Sequence, residues 1–98
     1  MRIPFLLAAL ASIALPAAGQ DTPAARALAA TCASCHGPEG RSATREVIPL
    51  AGLPKEFIVA QMKAFRDGTR QATIMQQLAK GYTERQVELI ADYFAARK

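Results

Sequence analysis

Histidine is almost missing from this chain of 98 residues, where His36 is the only one, and cysteine stops at Cys32 and Cys35. A structural zinc site takes four ligands, typically in two separated pairs, and so few candidates do not supply it. A disulfide between cysteines only three positions apart closes too short a loop to restrain much of the unfolded chain. Lysines and arginines form no run. The net charge of +4 is spread among interspersed acidic residues, which describes a mixed, solvated surface rather than the clustered basic stripe of a nucleic-acid-binding protein. No stretch alternates apolar and polar residues as a half-buried strand does. No internal repeat occurs, and no low-complexity tract follows the first twenty residues.

Two things are present in their place. The first is an apolar N-terminus: Met1 and Arg2 precede an almost unbroken apolar run from Ile3 to Leu15, followed by Pro16-Ala17-Ala18-Gly19. That order, positive start, apolar stretch and small residues, is the pattern of a secretory signal peptide. Residues 1–19 are expected to be a leader cleaved near Gly19–Gln20, leaving residues 20–98 as one domain. The run is short of the roughly 20 apolar residues that span a bilayer, so no stable membrane insertion is expected after cleavage. No cysteine follows the run to carry a lipid anchor. The remaining domain, roughly 79 residues long, is of a size at which a hydrophobic core alone seldom suffices. A large apolar cofactor is the better staple.

The second is helical patterning throughout. Thr22-Pro23 reads as a helix start, with Thr as N-cap and Pro in the first turn. Ala25, Leu28, Ala29 and Cys32 fall at i, i+3, i+4 and i+7, a face of small residues that leads into the cysteines. Residues 37–53, with Gly37, Pro38, Gly40, Pro49 and Gly52, form a loop long enough to wrap something. A second helix is predicted from Pro54 to a glycine cap at Gly68, with Ile58, Met62 and Phe65 on one face and Phe57 beside them. A short helical turn over 74–80 ends at Gly81. Thr83-Glu84-Arg85-Gln86 is a capping box that opens a last helix with the apolar stripe Val87, Ile90, Ala91 and Phe94. The fold class is all-α, about four helices.

Cys32-Ala33-Ser34-Cys35-His36 has the spacing of the attachment motif for c-type haem. Each thiol adds to one vinyl group of the porphyrin, and the histidine that follows at once reaches the iron from the same side. Both cysteines and the sole histidine lie inside these five residues, behind an export leader. A thioredoxin-like redox pair shares the Cys-x-x-Cys spacing but belongs in a βαβ setting, which is lacking. One haem c is therefore expected, bound through Cys32 and Cys35 with His36 on the iron. A lone histidine excludes bis-histidine ligation within the chain and leaves methionine, lysine, water or nothing for the sixth position. After leader removal the remaining methionines are Met62 and Met75. Met62 keeps helical spacing with Ile58 and Phe65 and reads as core filler, whereas Met75 follows the turn-prone Asp67-Gly68-Thr69-Arg70-Gln71. Met75 is the favoured sixth ligand. A thioether there stabilises ferrous iron and closes the site, which suits electron transfer. The second nitrogen of His36 needs a backbone acceptor, and the carbonyl of Pro49 is the candidate, against a role for Pro49 as a simple loop stiffener.

Together these residues resemble the class I cytochrome c family over 22–97. Ile48-Pro49-Leu50-Ala51-Gly52 is similar to the P-x-L-A-G stretch of bacterial two-haem cytochromes c. Phe65-Arg66-Asp67-Gly68-Thr69-Arg70, then Met75 and Ala79-Lys80-Gly81-Tyr82, resembles the haem subunit of flavocytochrome c sulfide dehydrogenase. The resemblance implies the class I cytochrome c fold around one haem. It implies Met75, six residues before Gly81, as axial ligand and the loop proline as the residue whose carbonyl accepts from His36. Two departures stand out: no proline precedes Met75, and a single haem motif is present. The implied function is a periplasmic electron carrier cycling between Fe(II) and Fe(III), as the haem subunit of a sulfide-oxidising flavoprotein. The alternatives are a free-standing carrier to a terminal oxidase or reductase and, in another class, an open-site haem enzyme or sensor. No catalysis by this chain alone is expected. Lys55, Lys63, Arg66, Arg70 and Lys80 are either solvated helix faces or a basic patch for an acidic redox partner; Arg70 also suits a haem propionate.

Overall fold

Local chemistry starts each long helix. In the computed structural model, which describes residues 2–4, 8–13 and 22–98, Thr22 accepts from the Ala25 amide at 3.1 Å. Pro23 follows it into α1 (Pro23–Ala30). The expected leader boundary at Gly19–Gln20 lies outside the described residues. The cysteine segment forms its own short helix, α2 (Ala33–His36), followed by a 3-10 turn over Pro38–Gly40. After the long loop, Pro54 opens α3 (Lys55–Asp67), which ends at Gly68 in the left-handed region, φ 77°. Then come α4 (Met75–Ala79) and α5 (Glu84–Ala95). The expected capping box is complete: Thr83 Oγ1 accepts from the Gln86 amide at 3.1 Å, and the Thr83 amide donates to Gln86 Oε1 at 2.9 Å. The described residues thus hold five α-helices and no strand. The one beyond the expected four is the cysteine turn itself.

The core is a crossing of α1 on α5. Ala25, Ala29 and Ala91 are buried with Ile90, Tyr93 and Phe94. Small side chains at the crossing let the two backbones approach, as ridges of one helix settle into grooves of the other. Ile58 brings α3 into the same cluster, with Leu28, Cys32, Leu50, Leu53 and Met62 packed against it. Lys55 Nζ and Asp92 Oδ1, 3.0 Å apart, tie the start of α3 to α5. Tyr93 and Phe94 meet edge to face at 5.3 Å, a favoured aromatic geometry. Phe94 is the one large side chain that is fully buried among the described residues.

Candidate functional site

The end of α1 runs almost directly into α2. The Cys32 amide donates to the Ala29 carbonyl at 3.0 Å, and the His36 amide donates to the Cys32 carbonyl at 2.9 Å. Cys32 through His36 is therefore one helical turn. In such a turn residues at i, i+3 and i+4 lie on the same side, which groups Cys32, Cys35 and His36. The thiols are unpaired. Burial pushes the Cys32 thiol up, helped by the neighbouring Cys35 and opposed by a contact from Thr31. The protonated thiol is the form retained at neutral pH. Among the described residues no three His, Cys, Asp or Glu side chains converge to hold a bare metal ion.

The loop after α2 folds back on itself. The carbonyl of Gly40 accepts from the amides of Leu50 at 2.8 Å and Ala51 at 3.2 Å, and the Gly52 amide donates to the Phe94 carbonyl at 2.9 Å. Gly40 is buried with φ 77°, and a Cβ on it would stand 2.8 Å from Phe94 Cδ1 and 2.9 Å from the Ala51 nitrogen. Only glycine fits that approach. The closed base delivers the far side of the loop to the histidine, where His36 Nδ1–H donates to the carbonyl of Ile48 at 2.8 Å. A carbonyl only accepts, so Nδ1 carries the proton of this bond, and in the neutral ring Nε2 is the nitrogen with the lone pair. A bond of this kind fixes tautomer and ring orientation in metal-bound histidines.

The acceptor is Ile48 and not, as the sequence led us to expect, Pro49. In the P-x-L-A-G comparison Ile48 stands at the proline position and Pro49 at x, so the template already pointed to residue 48. Pro49 still has a part. A residue before proline is confined to extended backbone, and that restriction falls on Ile48, whose carbonyl does the accepting.

Several large apolar residues of the domain are turned outward. Ile48, Phe57, Ile74 and Leu78 are 45%, 44%, 56% and 44% exposed, although the packed core is small for the chain. They come from the loop, α3, the 68–74 turn and α4, the elements expected to enclose a cofactor. Two thiols and an imidazole on one side of a single turn, with large apolar side chains left open elsewhere on the surface, fit a flat apolar group bound covalently on one edge. The residues present fit haem c, with Cys32 and Cys35 holding it and His36 directed to the iron.

Met75 is the first residue of α4 and is half-buried, while Met62 packs against the core from α3. The basic residues mostly serve the fold. Lys55 pairs with Asp92, Arg66 donates to the Tyr82 carbonyl, and Arg70 donates to Gln61 and lies over the Phe65 ring, 4.8 Å from its centroid. A shallow groove lined by Val59, Met62, Arg66 and Val87 runs between α3 and α5, away from the cysteine turn.

The profile described as Cytochrome c matches residues 22–97. This chain belongs to the cytochrome c family. It is similar to the cytochrome subunit of sulfide dehydrogenase of Chlorobaculum tepidum, 43% identical over 68 residues that cover 68% of this chain and 60% of that protein. Cytochrome c4 of Pseudomonas aeruginosa is 34% identical over 95% of this chain and 46% of its own length. The solved thiosulfate dehydrogenase of Marichromatium purpuratum superposes with a TM-score of 0.75 at 34% identity, covering 90% of this chain and 22% of that one. The chain thus spans about half the length of the two curated relatives, 60% and 46%. The all-α class I cytochrome c fold and the single haem c attached at Cys32 and Cys35 follow from this membership. Among the described residues no helix is long and apolar enough to cross a membrane.

Proposed function

We propose that this cytochrome c is a periplasmic carrier with His36 and Met75 as axial ligands, exported by a leader over 1–19 and working through residues 20–98. We assign its electrons to a flavoprotein partner that oxidises sulfide. The observation that carries the site is the cysteine turn closed by the His36–Ile48 hydrogen bond at 2.8 Å. Haem c held there supplies a one-electron Fe(II)/Fe(III) couple. The protein's part is to keep the geometry constant between the two oxidation states. Cys32 and Cys35 fix position, Ile48 fixes the rotation of the His36 ring, and the apolar residues of the loop and α4 keep water away.

Met75 suits the sixth position because it opens a short helix after the 68–74 turn, on a segment that does not contribute to the α1–α5 crossing. Met62 already fills space against the core. A thioether there favours the ferrous state and leaves no position for oxygen or peroxide. The sulfide reading is supported by the 43% identity to a sulfide dehydrogenase cytochrome subunit. Its test is direct. The oxidised holo-protein is mixed with a sulfide-oxidising flavoprotein and sulfide, and absorbance follows its reduction. Fast, flavoprotein-dependent reduction is expected. Reduction no faster than with sulfide alone would remove the flavoprotein as donor and leave the free carrier.

A further inference from the structure

Two hydroxyl groups 51 residues apart in sequence meet beside the attachment turn: Thr31 Oγ1 and the Tyr82 hydroxyl are 2.6 Å apart. Thr31 has one hydroxyl proton, and it donates to the Leu28 carbonyl at 2.7 Å. The Tyr82 hydroxyl is therefore the donor to Thr31. Thr31 caps the C-terminus of α1 and immediately precedes Cys32. Tyr82 lies where α4 leads into α5. Its amide donates to the Ala79 carbonyl at 3.4 Å, and its own carbonyl accepts from Arg66 of α3. One side chain thus joins the end of α4, whose first residue is Met75, to the segment that carries Cys32 and His36. α4 is only five residues long, too short to hold its own place without outside bonds.

We propose that the Tyr82 hydroxyl is a positioning group for the methionine side of the site, holding α4 against the attachment turn so that Met75 resists displacement by added ligands. The proposal rests on Met75 being the sixth ligand. Its effect is local. The fold keeps the α1–α5 crossing whether or not the hydroxyl is present, while α4 loses its tie to Thr31 without it.

The test uses the ferric holo-protein at fixed pH, titrated with imidazole, which competes for the sixth position. Tyr82→Phe and Thr31→Val are each expected to raise imidazole affinity about five- to tenfold, the effect of losing one net hydrogen bond. The double variant should show no further gain, because both changes remove the same interaction. Thr31→Ser keeps the acceptor and should behave as the native protein. If Tyr82→Phe does not mature, Thr31→Val and Thr31→Ser carry the comparison. A merely structural role would lower the thermal midpoint and leave imidazole affinity within about twofold of native; that result overturns the proposal. The ligand reading is checked first, by the weak far-red band of sulfur-ligated ferric haem. A native protein without the band, or a Met75→Ala variant that retains it, refutes that reading and the proposal with it before any titration.

Discussion

His36 and Ile48, twelve residues apart, are joined by a 2.8 Å hydrogen bond from the imidazole Nδ1–H to the backbone carbonyl. That bond sets the tautomer, and the tautomer sets which nitrogen faces the iron. The acceptor is a main-chain carbonyl, which no side-chain substitution removes, and Pro49→Ala is expected to leave the bond in place. The expected result is a His36 Nδ1–H proton resonance that persists, with a stability loss of up to about 1 kcal/mol from the greater freedom of the unfolded chain. Proton NMR and thermal unfolding of the holo-protein check the two halves. Loss of the resonance would mean that the extended backbone Pro49 imposes on Ile48 is needed to hold that carbonyl in place.

Gly40 holds the base of the same loop. Gly40→Ala places a Cβ 2.8 Å from the Phe94 ring at a φ of 77°, so strain and overpacking act together. We expect a loss of about 2–4 kcal/mol. Gly68 has the same φ with nothing within 4 Å of a Cβ, and Gly68→Ala should cost only about 1–2 kcal/mol. Denaturant unfolding of both variants separates the clash from the backbone term.

The Lys55–Asp92 pair at 3.0 Å joins α3 to α5 near the surface. Asp92→Asn should lower stability by about 0.5–1 kcal/mol at low ionic strength. In about 1 M salt only part of the difference should vanish, since the Asp92 side chain is mostly buried and partly buried pairs are screened less. A difference that salt leaves untouched would mean that Asp92 acts through packing rather than charge.

Met75→Ala should abolish the far-red sulfur band of the ferric protein and lower the reduction potential, while Met62→Ala should keep both. The second variant should instead cost about 1–2 kcal/mol of stability, since Met62 is partly buried against the core. Spectra and potentiometry of the two variants decide between the two sulfurs. A band lost in Met62→Ala and kept in Met75→Ala would reverse the assignment.

What was readable in the sequence was what neighbouring residues decide between themselves. The Thr22 and Thr83 caps, the Gly68 stop and the Cys32–His36 turn all depend on partners within a few positions. The α5 stripe of Val87, Ile90, Ala91 and Phe94 emerged buried as its spacing predicts. The relations that escaped are long-range. Thr31 with Tyr82, Lys55 with Asp92 and Arg66 with the Tyr82 carbonyl have no local signature, because each depends on how the helices cross. The histidine acceptor failed by one residue for a different reason: the eye goes to the proline, whereas the carbonyl that matters belongs to the residue whose backbone that proline restricts.

The central claim is one haem bound covalently by Cys32 and Cys35. The most direct measurement is the intact mass of the protein produced in cells that mature c-type cytochromes, before and after extraction with acidified acetone. The account predicts the mass of the chain plus one haem in both samples, and the mass of the bare chain for Cys32→Ala/Cys35→Ala. A native protein whose haem leaves with the acetone, or whose mass equals that of the bare chain, would contradict it.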